Sequence, residues 1–196
     1  MSETEHRVSI LVEAQDFNNI GGWVVDSQFE TVMGSPYLLA HGLGRPVADA
    51  TTNIHVETAG EYSLFVRAKD WVPGYSPGRF QLLINDVVVD KEFGANGKDW
   101  SWEAAGRVTL PSGELKLTLR DLTGFEGRCD AIYFSADDVP PPNGIDEPAR
   151  QWRKELRGLS LEPVEAGDFD VVVVGGGVSG CAAALSAARL GLQVAL

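Results

Sequence analysis

Cysteine, histidine and positive charge are scarce in this chain of 196 residues. It has two cysteines and three histidines, and 28 acidic residues against 16 lysines and arginines give a formal net charge of −12. Cys129 and Cys181 offer neither a disulfide framework nor a metal-binding spacing, so we expect both to be buried small hydrophobic residues. The negative charge argues against nucleic acid or an anionic membrane as a partner.

Long hydrophobic runs are also missing. The valine run at residues 171–174 is followed directly by glycines, so no segment approaches the length of a membrane span. Residues 1–7 are polar and lack the apolar stretch of a signal peptide, and a cytoplasmic location is therefore expected. A hydrophobic fraction of 44% and a charged fraction of 22% are typical of a globular protein.

Most of the chain, from residue 8 to residue 134, reads as short strands separated by turn residues. The segment 61–68 places alternate residues on one apolar face, namely Tyr62, Leu64, Val66 and Ala68. Strands at this spacing, with no helical periodicity between them, predict an antiparallel all-β sandwich of jelly-roll type.

Two hairpins are predicted inside this region. Asn85 and Asp86 form a favourable two-residue turn between apolar segments 80–84 and 87–89. The turn at residues 111–113 separates segment 108–110 from Leu115, Leu117 and Leu119, which occupy alternate positions. We expect the strands on either side of each turn to pair.

A different pattern begins near residue 168. Four valines predict a buried strand, Gly175, Gly177 and Gly180 follow as G-x-G-x-x-G, and an alanine-rich helix occupies residues 182–189. Gly191 is placed to end that helix, and residues 192–196 predict a second strand. This is the truncated start, β-α-β, of a Rossmann-like α/β domain.

Each glycine has a role in binding a dinucleotide. Gly175 permits a tight turn, Gly177 lets a pyrophosphate approach the backbone, and Gly180 allows the helix to pack on the strand. The diphosphate would accept hydrogen bonds from backbone N–H groups at the positive end of the helix. The predicted cofactor-binding residues are Gly175, Gly176, Gly177, Val178, Ser179 and Gly180.

The glycine pattern by itself is compatible with either FAD or NAD as the cofactor. The acidic residue that hydrogen-bonds the ribose lies about 20 residues beyond the glycines. The sequence ends before that point, so this residue is not available to distinguish the two cofactors.

Two domains joined by a linker follow from these patterns. Residues 1–136 form the sandwich, residues 137–167 form a proline-rich linker with a short helix, and residues 168–196 form the β-α-β piece. Asp146 is placed to cap the linker helix, with Pro148 in its first turn. Trp152 and Leu156 are four residues apart and share one face of that helix.

Several local motifs of the first domain resemble those of galactose-binding-like jelly rolls found among carbohydrate-binding modules. These motifs are Val-Glu-Ala-Gln at 12–15, Gly-Gly-Trp at 21–23, Ala-Gly-Glu-Tyr at 59–62 and Cys-Asp-Ala-Ile at 129–132. The segments 34–44 and 121–130 are similar to the N-terminal domain of a group of bacterial FAD-dependent oxidoreductases. In that group the domain precedes a flavin-binding module that begins with a glycine motif like the one here.

The resemblance implies a function for the whole protein. It predicts an FAD-dependent oxidoreductase in which the sandwich is an accessory or substrate-channel domain, while the 196-residue chain by itself is inactive and its catalytic residues are unknown. The alternative is a carbohydrate-binding module followed by a non-functional remnant of a flavin domain. The expected ligands are a small molecule or a carbohydrate.

The resemblance also suggests two sites in the sandwich. Related modules often hold a structural calcium with a glutamate of the first strand and an aspartate of the last, and the matching residues are Glu13 and Asp130. Calcium prefers several oxygen ligands, although Gln15 stands where those modules often carry another acid. Trp71 and Tyr75, in a long loop rich in turn residues, are the candidates for stacking on a sugar ring. His41 and Arg128 are expected to have structural or interface roles.

Overall fold

The computed structural model describes residues 8–160 and 162–196, and it divides into two compact units, Met1–Leu159 and Ser160–Leu196. Residues 1–7, on which the prediction of no signal peptide rests, lie outside the described residues. Among the described helices, none has the length and apolar character needed to cross a bilayer.

The first unit is a β-sandwich of two antiparallel sheets. Its strands in chain order are β1 (Ile10–Glu13), β2 (Val24–Asp26), β3 (Tyr37–His41), β4 (Ala50–Val56), β5 (Gly60–Ala68), β6 (Phe80–Ile84), β7 (Val87–Phe93), β8 (Ser101–Leu110), β9 (Gly113–Asp121) and β10 (Phe125–Ser135). One sheet has the order β2-β3-β10-β5-β8, with β1 also paired to β10, and the other has the order β4-β9-β6-β7. The predicted sandwich is confirmed.

The main core lies between the two sheets. The alternating face of β5 enters it as predicted and meets the apolar face of β9 from the opposite sheet, and the residues involved are Tyr62, Leu64, Val66, Ala68, Leu115, Leu117 and Leu119. A smaller cluster contains Phe65 of β5 and Tyr133 of β10. Because side chains alternate along a strand, one strand serves both clusters.

One predicted hairpin is confirmed and the other is wrong. Asn85 and Asp86 have φ angles of 48° and 66° and connect the paired strands β6 and β7. By contrast, β8 pairs with β5, whereas β9 pairs with β4 and β6, so the turn at residues 111–113 carries the chain from one sheet to the other. An alternating pattern identifies the buried face of a strand and leaves its hydrogen-bonding partner open.

A linker helix covers the smaller cluster. The first unit contains a short 3-10 helix (Ala14–Asp16), the four-residue helix α1 (Glu30–Met33) and the linker helix α2 (Glu147–Leu156). The Asp146 carboxylate accepts a hydrogen bond from the Ala149 N–H, which confirms the predicted cap. Trp152 and Leu156 both pack on the cluster that contains Phe65 and Tyr133, so helix α2 is part of the first unit.

The second unit has the predicted β-α-β order. Strand β11 (Val171–Val172) and strand β12 (Val194–Ala195) are parallel and are connected through helix α3 (Val178–Arg189). Gly191 has a φ of 84°, the left-handed conformation expected after a helix.

The two cysteines differ in burial. Cys129 is buried as predicted, but the prediction is wrong for Cys181, which is exposed. Within residues 162–196 one helix and two short strands leave most of the helix surface uncovered, so a small apolar residue on α3 stays accessible.

Candidate functional site

The glycine-rich turn between β11 and α3 has the backbone geometry that its sequence predicts. Gly175 has a φ of 107°, a conformation that residues with a side chain rarely adopt. Side chains at Gly176 or Gly177 would meet open space, so this side of the turn is accessible. A diphosphate can therefore approach the backbone here without displacing protein atoms.

The start of helix α3 carries free hydrogen-bond donors. Its N-cap is Gly177, and no side chain caps it. The first N–H groups of a helix have no partner within the helix and lie at its positive end. Val178, Ser179 and Gly180 therefore supply N–H donors at the positive end of the helix, which suits an anionic group.

Gly180 is fixed by a close approach of two backbone segments. A Cβ atom at this position would lie 1.9 Å from the Gly175 carbonyl oxygen and 3.4 Å from Cγ1 of Val173. The absence of a side chain thus allows the first turn of α3 to contact the strand end. The residues of this turn fit the diphosphate of a dinucleotide cofactor.

The first unit contains a separate, open cleft of about 780 Å³ beside β2, β3 and β10. Its lining is aromatic, apolar and charged, and it includes Asp26, Phe29, His41, Lys69, Trp71, Glu126 and Arg128. The Glu126 carboxylate contacts His41 Nδ1 at 3.2 Å and accepts a hydrogen bond from Arg128 at 3.0 Å. His41 and Arg128 therefore form part of the cleft wall, where each contacts Glu126.

The two predicted sugar-stacking residues lie in different surroundings. Trp71 lines the cleft, donates a hydrogen bond from Nε1 to the Phe125 carbonyl at 2.9 Å, and has the Arg128 guanidinium 5.3 Å from its ring centre. Tyr75 is 87% exposed and is not among the residues that line the cleft. Of the two residues, Trp71 is therefore better placed than Tyr75 to contact a ligand in the cleft.

Glu13 and Asp130, the predicted calcium ligands, come together where β10 changes partner. Ala131 of β10 pairs with Glu13 of β1, whereas Cys129 pairs with Leu38 of β3. The pairing of β10 with β5 is also irregular between Cys129 and Ala131, which marks Asp130 as the extra residue of a β-bulge. Both carboxylates are buried.

The arrangement of these carboxylates does not fit a bound calcium. The Arg153 guanidinium donates to both oxygens of Glu13, at 3.1 and 3.0 Å, and to Asp130 Oδ2 at 2.6 Å. Arg67 donates to the same Asp130 oxygen at 3.0 Å. Within residues 8–160 and 162–196, no group of three or more histidine, cysteine or acidic side chains could hold a metal ion.

Burial raises the pKa of Glu13 to about 7, and the positive charge of Arg153 acts in the opposite direction. An ionised Glu13 in this position therefore depends on a nearby cation.

Sequence reasoning missed the two arginines. Arg153 lies in the predicted linker helix and Arg67 in a correctly predicted strand, but their partners are 140 and 63 residues away in the chain. The local pattern gave no signal for Arg67, because Val66 and Ala68 face the core and strand alternation places Arg67 on the opposite face of the sheet, where a charged side chain is ordinary.

Comparisons with known proteins match the two units to different proteins. The model of the family described as glucose inhibited division protein A matches residues 170–196. A probable glycerol-3-phosphate dehydrogenase of Encephalitozoon cuniculi (strain GB-M1) is 42% identical over 52 residues, which are 26% of this chain and 8% of that protein. The chain therefore spans less than a tenth of this curated relative.

Solved structures show the fold of the larger part. A Podospora anserina GH26-CBM35 β-(1,4)-mannanase is similar with a TM-score of 0.53 and 24% identity, over 68% of this chain and 29% of that one. A family 35 carbohydrate-binding module from Clostridium thermocellum gives a TM-score of 0.50 and 19% identity, over 66% of this chain and 99% of that one. The predicted fold class, a jelly-roll sandwich followed by a short β-α-β unit, is confirmed.

Proposed function

We propose that this chain is the N-terminal part of an FAD-dependent oxidoreductase and that its glycine-rich turn binds the FAD pyrophosphate. The observation that carries the proposal is the turn itself, in which Gly175 adopts a positive φ and Gly180 contacts the Gly175 carbonyl. The match of residues 170–196 to the glucose inhibited division protein A family and the dehydrogenase relative support it.

The proposed contacts assign a role to each part of the turn. Gly175, Gly176 and Gly177 leave the backbone accessible, and Val178, Ser179 and Gly180 supply N–H donors to the phosphate oxygens. The bound flavin would supply the two-electron redox chemistry, and the protein would position it. No contact to the flavin ring is assigned to residues 162–196, so we expect the 196-residue chain to bind FAD weakly and to be inactive.

We propose that the sandwich, residues 1–136, acts as an accessory or substrate-channel domain. The linker that follows it, residues 137–167, contains helix α2, which packs on the sandwich. The proposed ligand of the whole protein is a small molecule or a carbohydrate. A net charge of −12 supports the absence of a nucleic-acid partner. The cytoplasmic location stays a prediction.

A titration of the labelled chain with ADP, followed by two-dimensional NMR of the backbone amides, tests the diphosphate contact. We expect ADP to shift the amide signals of residues 175–180, because the diphosphate accepts hydrogen bonds from these groups. Adenosine, which lacks phosphate, is the control and should leave these signals in place. Shifts that appear only in residues 8–159, or no shifts with ADP, would contradict the proposal.

The choice between FAD and NAD requires a longer polypeptide that contains this chain, because ADP is common to both. We expect such a protein to be purified with bound flavin and to show its absorption spectrum. A protein that binds NAD without retaining flavin would replace FAD with NAD and leave the diphosphate site intact.

A second candidate function is carbohydrate binding by the sandwich, which the cleft beside Trp71 favours. Aromatic faces stack on the apolar faces of sugar rings, and charged groups around them can hydrogen-bond hydroxyls. Trp71 would supply the stacking face, and Tyr75, outside the cleft, would contribute less.

Substitution of Trp71 by alanine tests this second function. If an oligosaccharide is found that binds the chain, W71A is expected to weaken binding at least about tenfold, which corresponds to about 1.4 kcal/mol. W71F keeps an aromatic face and should retain part of the affinity, and Y75A should have a smaller effect than W71A. Glycan arrays and calorimetric titration provide the measurement, and a W71A variant that binds as well as the unmodified chain would exclude the cleft as the site.

A further inference from the structure

Arg153 occupies the centre of a buried polar cluster at the bulge of β10. One of its terminal nitrogens contacts both Glu13 oxygens and Ser35 Oγ, the last at 3.1 Å, and the other contacts Asp130 Oδ2. Its side chain is 15% exposed, whereas those of Glu13 and Asp130 are 2% and 0% exposed. The guanidinium therefore lies between the two carboxylates, at the position a shared cation would take.

The charges of the cluster balance without a metal ion. When Glu13 is ionised, Glu13 and Asp130 contribute two negative charges, and Arg67 and Arg153 contribute two positive charges. The Ser35 hydroxyl donates to Asp130 Oδ1 at 2.9 Å, so both Asp130 oxygens have partners. A divalent cation added to this arrangement would face two guanidinium groups at close range, and like charges at such distances repel.

The same contacts attach the linker to the sandwich. Arg67 donates from Nε to Asn143 Oδ1 at 3.1 Å and from a terminal nitrogen to the Asn143 carbonyl at 2.9 Å. On helix α2, the Trp152 ring lies 5.0 Å from the Tyr133 ring. Apolar packing covers one side of α2, and Arg153 provides its buried ionic attachment, whereas the pair of Arg157 and Asp16 is more exposed.

We propose that Arg153 is the built-in counter-ion of the Glu13 and Asp130 pair, replacing a divalent cation at this position and fixing helix α2 to the sandwich. The position that the resemblance assigns to calcium is thus occupied by a side chain from the linker. Because the guanidinium belongs to helix α2, the same contacts neutralise the two carboxylates and attach the helix to the sandwich. The role of this cluster is independent of whether the glycine-rich turn binds FAD.

An Arg153→Gln variant of the full chain tests the attachment. Removing one partner of a buried ion pair leaves unpaired charge, so we expect the melting temperature to fall by about 10 °C. Hydrogen exchange of the amides in Glu147–Leu156 should rise at temperatures where the strands of the sandwich remain protected. Arg157→Gln is the matched control, since Arg157 lies one turn further along and pairs with Asp16, whose side chain is 54% exposed.

An Arg153→Lys variant keeps the proposal testable if the glutamine variant does not fold. Lysine retains the positive charge but cannot form the bidentate contacts of a guanidinium. The melting temperature of R153K should therefore lie between those of the unmodified chain and of R153Q. If R153Q and R157Q have equal melting temperatures and equal exchange in α2, Arg153 does not attach the helix and the proposal fails.

Calcium provides the second arm of the test. The melting temperature of the unmodified chain should be the same in calcium and in a chelator, whereas calcium should raise that of R153Q because two carboxylates have lost a counter-ion. A calcium-dependent rise in the unmodified chain would show that the arginine does not replace the metal. An R153Q variant that does not respond to calcium would likewise overturn the claim that this is a cation position.

Discussion

Replacement of Asp130 by asparagine is expected to lower the free energy of unfolding of the sandwich by about 3–5 kcal/mol. The Asp130 side chain is fully buried, and two guanidinium groups and the Ser35 hydroxyl contact its oxygens. Asparagine has nearly the same shape and no charge, so the loss would come from the uncompensated arginines. The change leaves the packing volume almost unaltered.

Denaturant unfolding followed by tryptophan fluorescence measures this effect. All five tryptophans lie in the first unit, so the signal reports on the sandwich. The control is Asp49→Asn, because Asp49 pairs with Arg120 while their side chains are 34% and 43% exposed, and such pairs contribute about 0–1 kcal/mol. If D130N and D49N cost the same, the buried cluster does not stabilise the fold in the way described.

The second large effect is expected from Gly180→Ala. The new methyl group would lie 1.9 Å from the Gly175 carbonyl oxygen, and backbone atoms cannot yield as a flexible side chain can. The turn or the start of α3 must shift, which would displace the N–H donors from the proposed diphosphate position. We expect affinity for ADP to fall at least about tenfold, or about 1.4 kcal/mol.

Ser186→Ala is the control for this change. Ser186 is exposed on the same helix, its hydroxyl donates to the Ala182 carbonyl at 2.7 Å, and it lies outside the proposed diphosphate contacts. We expect S186A to bind ADP as the unmodified chain does, so a loss of ADP affinity seen only in G180A by amide NMR isolates the close contact at Gly180. Equal affinities of G180A and S186A for ADP would mean that the helix does not need its observed approach to the strand.

Local sequence patterns were sufficient for the elements whose geometry depends on neighbouring residues. The turn at Asn85 and Asp86, the cap at Asp146 and the positive φ of Gly175 follow from short-range sterics and hydrogen bonding. These patterns did not predict which strands pair in each sheet. Strands β8 and β9 each carry an alternating apolar face, and many different pairings would bury such a face.

The cation that neutralises Glu13 and Asp130 also could not be predicted from local sequence patterns. The resemblance placed the two carboxylates together correctly, but it supplied no information on Arg153, which reaches them from the linker helix. Charge neutralisation in a buried cluster depends on every group that the fold brings within a few ångströms.

The sequence alone determined the β-sandwich, the following β-α-β unit and the glycine-rich turn of the proposed diphosphate site, because periodicity and backbone sterics act over a few residues. Only the tertiary structure decided which strands pair, which aromatic side chain lines the cleft and which cation neutralises Glu13 and Asp130. These outcomes depend on contacts between residues as far apart as Glu13 and Arg153, 140 positions along the chain, which local patterns do not encode.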